Sequence, residues 1–177
     1  MLNFPIPDLL IKSIYELKPR HLTEMGVTLL LMDLDNTLAS YGTPVPSVKL
    51  RNWIDNLKKA GIEPFIYSNS RGDKAEKFAR ALSLGSINRA HKPGAKKLVA
   101  LLREKGVASN NAAIIGDQIY TDVLCGKRAG IKTIAIKPID MRNPFFFIRY
   151  GAEIPFRYAY KLRGRIAEKK GGSSGKH

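Results

Sequence analysis

The sequence predicts an α/β domain in which a parallel β-sheet is covered by helices on both faces. Short apolar runs alternate along the chain with segments of helical spacing, and a glycine follows most of these segments. This alternation is typical of βαβ units with right-handed crossovers. The first long run, residues 27–32, is apolar except for Thr28 and rich in branched side chains, as in strands buried on both faces. The length of 177 residues suits one domain with a full hydrophobic core.

Five strands and the helices between them follow in order from this pattern. The predicted strands cover residues 27–33, 62–67, 86–90, 112–115 and 131–136. The predicted helices cover residues 48–59, 73–84, 94–105 and 121–129. Ser47 is the expected N-cap of the first of these helices, and Trp53 lies on its apolar stripe and is expected in the core.

Residues 1–26 are predicted to form an N-terminal helical segment that packs on the core. Asp8 is a candidate N-cap for this helix. Four apolar residues follow near helical spacing: Leu9, Leu10, Ile14 and Leu17. Contact of this amphipathic segment with a lipid surface is the less favoured alternative.

The charge balance is strongly basic. The chain has 30 Lys and Arg against 15 Asp and Glu, a net charge of +15. Such an excess favours anionic partners such as nucleic acid, an anionic membrane surface or phosphorylated substrates, although a solubilising surface is the alternative. The single cysteine, Cys125, excludes an intramolecular disulfide and is compatible with a reducing cytoplasm. No secretory leader or apolar stretch of spanning length is recognisable, so a cytoplasmic protein is expected, soluble or peripheral on the inner face of the membrane.

Two carboxylates, Asp33 and Asp35, come directly after the first apolar strand. In extended backbone, residues i and i+2 point to the same face, so both carboxylates can reach one small volume. Like charges that close repel each other, and a bound cation relieves the repulsion. The pair therefore indicates a divalent metal and chemistry on a negatively charged substrate.

Polar residues also follow three further strands. They are Ser68 and Asn69 after the second strand, Lys92 after the third and Asp117 after the fourth. In open α/β sheets, ligands bind outside the carboxyl ends of the strands, so these residues are expected to meet in one crevice. Each of them alone is more often part of an ordinary turn, and it is their joint placement that favours a functional site.

These residues stand in motifs that resemble those of the haloacid dehalogenase (HAD) superfamily of phosphohydrolases. The matching segments are Asp33-Leu-Asp-Asn-Thr-Leu, Ser68-Asn69, Lys92-Pro93 and Gly116-Asp117-Gln-Ile-Tyr-Thr-Asp122. The residue sequence of the first motif and the flanking proline and aromatic segments resemble those of the YqeG branch of subclass IIIA. This branch is related to mitochondrial phosphatidylglycerophosphate phosphatases. The resemblance implies a Rossmann-like three-layer sandwich with a five-stranded parallel sheet in the order 3-2-1-4-5, and a catalytic core at residues 27–138.

The resemblance also implies roles for the two strand-end carboxylates. Asp33 would be the nucleophile that forms an aspartyl-phosphate, and Asp35 would protonate the leaving alcohol and then activate water. Mg²⁺ would be held by Asp33, by the backbone carbonyl of Asp35 and by Asp117. The second acid favours hydrolysis of a phosphate ester over dehalogenation, because an alkoxide leaving group needs a proton.

The other motif residues would surround the phosphate. Ser68 and Asn69 would hydrogen-bond the phosphoryl oxygens, and Lys92 would neutralise their charge. Asp122 would lie behind them and orient a metal-bound water or Lys92. Charge neutralisation and positioning are what phosphoryl transfer needs most.

No cap domain is expected over this site. The stretches from Asp35 to Ser68 and from Asn69 to Lys92 are each filled by one helix, one strand and their turns. An open site suits a substrate whose bulk stays outside, such as a lipid head group, a polynucleotide end or a protein.

The C-terminal extension, residues 139–167, mixes basic and aromatic residues. From residue 137 onward the chain has 10 Lys and Arg and 3 Asp and Glu, interleaved with Phe145, Phe146, Phe147, Tyr150, Phe156, Tyr158 and Tyr160. Core packing, contact with an anionic bilayer, and binding of single-stranded nucleic acid are the three interpretations. The Gly- and Ser-rich tail, residues 168–177, is predicted to be disordered.

The sequence as a whole predicts a Mg²⁺-dependent phosphomonoester hydrolase without a cap, with phosphatidylglycerophosphate as the favoured substrate. The alternatives are a nucleotide or polynucleotide-end phosphatase and a non-enzymatic nucleic-acid-binding protein on the same fold. A phosphoacceptor receiver domain fits less well, because its acceptor Asp would follow the third strand, where this chain has Lys92.

Overall fold

A six-stranded parallel sheet forms the centre of the protein. The computed structural model describes residues 5–140 and 150–162. The strands are β1 (Leu9–Leu10), β2 (Leu29–Met32), β3 (Glu63–Tyr67), β4 (Gly85–Ile87), β5 (Ala112–Gly116) and β6 (Lys132–Ala135). Their order in the sheet is β1-β6-β5-β2-β3-β4. The predicted order of five strands is confirmed, and β1 adds a sixth strand at the β6 edge.

Helices connect the strands and cover the sheet. They are α1 (Pro19–Glu24), α2 (Val48–Lys59), α3 (Lys74–Arg80), α4 (Lys96–Glu104) and α5 (Leu124–Ala129). A π-helical turn, Ile119–Val123, precedes α5 directly. Residues 150–162 are also helical and are called α6 below. The three consecutive phenylalanines at 145–147 and the tail at 168–177 lie outside the described residues. The predictions made for these two segments therefore stay predictions.

Strand β2 is the axis of the fold, because its side chains enter both layers of the core. Leu29, Leu30, Leu31 and Met32 are all fully buried between β3 and β5. Leu30 and Met32 pack with α2, whereas Leu29 and Leu31 pack with α4 on the other face. This arrangement confirms the three-layer prediction. Trp53 of α2 is 6% exposed, as expected for a core residue, and its Nε1 donates to the Leu17 carbonyl at 3.0 Å.

The prediction of one helix from Asp8 through Leu17 is wrong. Residues Leu9–Leu10 pair with β6 as a short parallel strand. The Asp8 carboxylate caps no helix and instead accepts hydrogen bonds from the backbone N–H and the hydroxyl of Thr133, both at 2.8 Å. The open edge of β6 offers backbone partners that an isolated amphipathic turn lacks, so pairing with the sheet overrides the helical spacing.

No cap domain covers the strand ends within residues 5–140. One helix, α2, lies between β2 and β3, and one helix, α3, lies between β3 and β4. The prediction of a site without a cap is therefore confirmed. Across the described part of the chain, no helix has both the length and the apolar character needed to cross a bilayer.

Gly126 lets α5 pack closely against the sheet. A Cβ atom at this position would lie 2.5 Å from a methyl group of Ile114 and 2.5 Å from the methyl group of Thr133. Real side chains do not approach that closely, so any larger residue would push α5 away from β5 and β6. This contact fixes the helix that follows the Asp117–Asp122 loop.

We expect Gly126→Ala to destabilise the protein, because overpacking of a core commonly costs about 1–3 kcal/mol. Urea unfolding monitored by circular dichroism measures this change. Gly151→Ala in α6 is the matched control, since a Cβ there meets no atom within 4 Å. The control should be neutral or slightly stabilising, because alanine favours a helix over glycine. Equal stabilities of the two variants would contradict the packing argument.

Candidate active site

The carboxyl ends of the strands surround an open cavity of about 500 Å³. The structure brings five of the predicted site residues to its lining: Asp33, Asp35, Ser68, Asn69 and Lys92. Asp117 and Asp122 lie directly behind them and are almost fully buried. All seven residues singled out in the sequence therefore belong to one crevice, although up to 89 positions separate them (33 to 122).

Lys92 is the central cation of the site. Its Nζ lies 2.5 Å from Asp33 Oδ1 and 2.6 Å from Asp122 Oδ1, and all three side chains are buried. Burial alone would lower the pKa of Lys92, but the carboxylates of Asp122 and Asp33 outweigh it and raise the pKa above its usual value. Lys92 therefore stays charged and holds the two acids together.

Asp122 reaches Lys92 because the chain turns tightly after β5. The π-helical turn directs Asp122 back over Gly116, and its Oδ2 accepts from the Gln118 backbone N–H at 3.2 Å. A Cβ atom at Gly116 would lie 2.2 Å from Asp122 Cγ. The glycine before Asp117 is thus required by the close approach of Asp122.

Asp33, Asp117 and Asp122 form a buried acidic cluster. Each offers one oxygen, and these oxygens lie within 4.8 Å of one another. Burial, and then the charges of Asp33 and Asp122, raise the pKa of Asp117 well above its usual range. Burial also raises the pKa of Asp33 to about 6, against the opposing charge of Lys92. Three buried acids beside one lysine leave excess negative charge at this point.

An unpaired oxygen in this cluster fits a cation. Asp117 Oδ2 is buried and accepts no hydrogen bond from the residues that the structure describes. A buried carboxylate oxygen without a partner is unfavourable, and a hard divalent cation with oxygen ligands would satisfy it. The residues present therefore fit a divalent metal. The Asp35 side chain lies outside the cluster, and the predicted contribution of this residue was its backbone carbonyl.

Asp35 lies at the mouth of the cavity, where it forms an ion pair with Lys74 of α3. The Lys74 ammonium also lies 4.8 Å from the centre of the Tyr41 ring. The sequence analysis missed Lys74, because one lysine in a basic, exposed helix carries no distinguishing signal. The contact holds the Asp35 side chain at the edge of the site.

Thr37 is a second residue that the sequence analysis missed. Its hydroxyl accepts from the Asp117 backbone N–H at 3.1 Å and lies 3.3 Å from Asp117 Oδ1 and 3.5 Å from Asp33 Oδ2. The side chain is buried, so this one hydroxyl links the loops that follow β2 and β5. The position of Thr37 within the Asp33–Leu38 motif was the feature of the sequence that could have indicated its role.

The side-chain amide of Asn69 makes two hydrogen bonds with the backbone of Lys92. Its Nδ2 donates to the Lys92 carbonyl at 2.9 Å, and its Oδ1 accepts from the Lys92 N–H at 2.8 Å. The side chain therefore positions the Lys92 loop. Ser68 Oγ accepts from the Ser70 N–H at 3.1 Å and keeps its own proton for a ligand in the cavity.

Helix α6 fastens the Asp117 loop from behind. Arg157 Nη2 donates to the Asp117 carbonyl at 2.6 Å, and Arg157 Nη1 donates to the Ile136 carbonyl at 2.9 Å. Glu153 Oε1 accepts from the Ile119 N–H at 2.8 Å. Both side chains are buried and pair with each other at 3.2 Å. The spacing of four residues between Glu153 and Arg157 was visible in the sequence, but the burial of the two side chains was not.

Comparison with known proteins is consistent with this geometry. A family model described as HAD-hydrolase-like matches residues 89–138. The chain is 32% identical over 166 residues to "Probable phosphatase YqeG" of Bacillus subtilis (strain 168), and the match covers 93% of this chain and 96% of that one. It is 26% identical over 156 residues to "Phosphatidylglycerophosphate phosphatase 1, chloroplastic/mitochondrial" of Arabidopsis thaliana, covering 83% of this chain and 45% of the relative.

Two solved structures share the fold. One is an uncharacterized protein from Listeria monocytogenes serotype 4b, with a TM-score of 0.53 and 16% identity over 67% of this chain and 85% of that chain. The other is a hypothetical protein from Xanthomonas campestris, with a TM-score of 0.52 and 20% identity over 82% of this chain and 78% of that chain. The resemblance expected from the four motifs is confirmed by the near full-length match to a phosphatase. The chain belongs to the haloacid dehalogenase superfamily and, within it, to the phosphatase family that includes YqeG.

Proposed function

We propose that this phosphatase hydrolyses phosphomonoesters with Mg²⁺, through a phosphorylated Asp33, and that phosphatidylglycerophosphate is its substrate. The observation that carries the proposal is the buried group of Asp33, Asp117 and Lys92 beneath an open cavity, with Asp35 at the mouth. A nucleophile, a proton donor and charge-neutralising groups then converge on one phosphoryl group.

The residues can perform the reaction in two steps. In the first, an Asp33 oxygen forms a bond to phosphorus while the bond from phosphorus to the ester oxygen breaks, and Asp35 gives that oxygen its proton. Lys74 must separate from Asp35 for this step, because a protonated Asp35 cannot keep the ion pair. In the second step Asp35 takes a proton from water, the water oxygen bonds to phosphorus, and Asp33 is released with inorganic phosphate.

The remaining groups hold the phosphoryl oxygens. Ser68 Oγ and the Asn69 backbone N–H are the donors at the end of β3, and Lys92 supplies positive charge. Asp33, Asp117 and the Asp35 carbonyl would hold Mg²⁺, which when bound neutralises charge on the phosphoryl oxygens. Asp122 keeps Lys92 in place through the 2.6 Å contact between its Oδ1 and the lysine Nζ.

The open site supports a lipid substrate. No cap encloses the cavity within residues 5–140, so a head group can enter while its acyl chains stay outside. The Arabidopsis relative that bears the name of a phosphatidylglycerophosphate phosphatase supports the same substrate at 26% identity. The substrate assignment rests on these two observations together.

The outer face of α6 supports contact with a membrane. Ile154, Tyr158 and Leu162 follow one another at intervals of four and are 55%, 57% and 40% exposed, whereas Glu153 and Arg157 of the same helix are buried. An exposed apolar stripe on a chain of net charge +15 suits an anionic bilayer. The proposal places the enzyme on the cytoplasmic, inner face of the membrane.

The first prediction concerns the nucleophile. Asp33→Asn should lower kcat for p-nitrophenyl phosphate by at least about 10³-fold, because the amide cannot form the phosphorylated intermediate. Asp55→Asn on the exposed face of α2 makes the same chemical change outside the cavity and is the matched control. Retained activity in Asp33→Asn would exclude Asp33 as the nucleophile.

The second prediction concerns the metal. Mg²⁺ at 100 times its dissociation constant should stabilise the wild-type protein by about 2.7 kcal/mol, since it binds only the folded state. Asp117→Asn should lose most of this gain. Without metal, the variant should be more stable than the wild type by about 1 kcal/mol, because an unpaired buried carboxylate oxygen is removed.

Thermal unfolding with and without Mg²⁺ measures both effects, and Asp55→Asn is again the control. EDTA should abolish hydrolysis of p-nitrophenyl phosphate, and added Mg²⁺ should restore it. Equal stabilisation of the wild type and Asp117→Asn by Mg²⁺ would contradict the assigned ligand.

The third prediction concerns the membrane. Replacing both Ile154 and Tyr158 by aspartate should weaken binding to phosphatidylglycerol vesicles by at least about tenfold, because the stripe loses apolar area and gains negative charge. Co-sedimentation measures the binding, and Val48→Asp on α2 tests an exposed apolar residue outside the stripe. Failure of the wild type to bind these vesicles or to hydrolyse phosphatidylglycerophosphate would overturn the substrate assignment.

A further inference from the structure

A second, basic cavity adjoins the active site. It has a volume of about 640 Å³ and is lined by Asn69, Arg71, Arg89, His91 and Lys92. Three of these residues, Asn69, Arg71 and Lys92, also line the catalytic cavity. The two cavities are therefore continuous, and one ligand can occupy both.

We propose that Arg71, Arg89 and His91 form a subsite for a second phosphate group of the substrate, a phosphodiester close to the phosphomonoester that is cleaved. This inference rests on the proposed phosphomonoester hydrolysis and adds the residues that bind a second phosphate of the substrate. A substrate with only one phosphate would leave the subsite empty.

The side chains of the subsite have free hydrogen-bond donors. Arg71, Arg89 and His91 are exposed, and none of them makes a side-chain hydrogen bond or ion pair with any residue in the ranges 5–140 and 150–162. Lys74 and Lys92, which line the catalytic cavity, are already paired with carboxylates. Among the residues that the structure describes, no carboxylate lines the second cavity. Its positive charge is therefore available to a ligand.

The backbone holds the loop that carries Arg89 and His91 next to the catalytic site. Arg89 and His91 have positive φ angles of 47° and 59°, a conformation that residues with a side chain seldom adopt. The Arg89 N–H donates to the Ser70 carbonyl at 3.2 Å, and the Ala90 N–H donates to the Ser68 carbonyl at 2.9 Å. These bonds tie the subsite loop to the loop that carries Ser68, so the two phosphate positions are held at a set separation.

The chemistry of the subsite selects phosphate over a neutral group. The planar guanidinium presents a fork of donors that matches two oxygens of one phosphate, and two arginines stand here together. A sugar or an acyl chain would leave these charges without a partner. A phosphodiester near a terminal phosphate occurs in a phospholipid head group and also in a nucleotide chain, so the experiment must separate the two sources.

The test compares three substrates: p-nitrophenyl phosphate, short-chain dihexanoyl phosphatidylglycerophosphate and a 5′-phosphorylated thymidine dinucleotide, which carries one phosphodiester next to its terminal phosphate. In Arg89→Gln and in Arg71→Gln/Arg89→Gln, kcat/KM for a substrate with two phosphates should fall about tenfold more than for p-nitrophenyl phosphate, through KM. Arg103→Gln is the matched control, because Arg103 is exposed on α4 and lines neither cavity.

Each result has a defined meaning. A selective loss for the lipid supports the subsite with a lipid source, and a selective loss for the dinucleotide supports it with a nucleotide source. Equal losses for all three substrates, or none, would overturn it. If the wild type hydrolyses none of them, the proposed function fails, and calorimetry with inorganic pyrophosphate decides the inference by itself. Binding weakened about tenfold in Arg89→Gln but not in Arg103→Gln supports the subsite, and equal binding by both variants rejects it.

Discussion

The structure depends on keeping several negative charges together in a buried place. Asp33, Asp117 and Asp122 stand at the strand ends with little access to water, and Lys92 is the one cation within the described residues that pairs with side chains of this cluster. Isolated charges in such surroundings are strongly unfavourable, so the nearby chain supplies them with partners. The Thr37 hydroxyl, the Asn69 amide and the turn after Gly116 all serve this end. The loops around the site therefore hold the three carboxylates and the Lys92 ammonium close to one another.

The parallel sheet makes this arrangement possible. Strands β2, β3 and β5 run side by side and end at the same edge, so their loops meet although they are distant in sequence. The apolar residues of β2 pack in both core layers. This packing fixes the position of Asp33, which follows the strand directly. Close helix packing at Gly126 does the same for the loop that carries Asp117 and Asp122.

The sequence was informative where a residue type is rare in its surroundings, and uninformative where it is common. Carboxylates after an apolar strand are costly, so Asp33 and Asp35 were visible at once. The parallel sheet followed from the βαβ pattern, and the strand order followed from the resemblance to the HAD superfamily. The edge strand at Leu9–Leu10 was not visible, because two residues have no measurable period and a tertiary contact with β6 decides their conformation. Lys74, Glu153 and Arg157 look like ordinary surface residues until their partners are known.

The structural unit around the site extends beyond residue 138, where the sequence placed its end, because α6 contacts the Asp117 loop. The inner face of this helix holds the carbonyl of Asp117 and the N–H of Ile119, while its outer face is exposed. A protein shortened before residue 150 would keep every motif residue and yet lose two of the donors and acceptors that shape the Asp117 loop. Order in this helix and order in the loop are thermodynamically linked, and the linkage acts in both directions. A ligand that binds the exposed residues of α6 is therefore expected to influence the Asp117 loop, and a ligand in the cavity is expected to stabilise the helix.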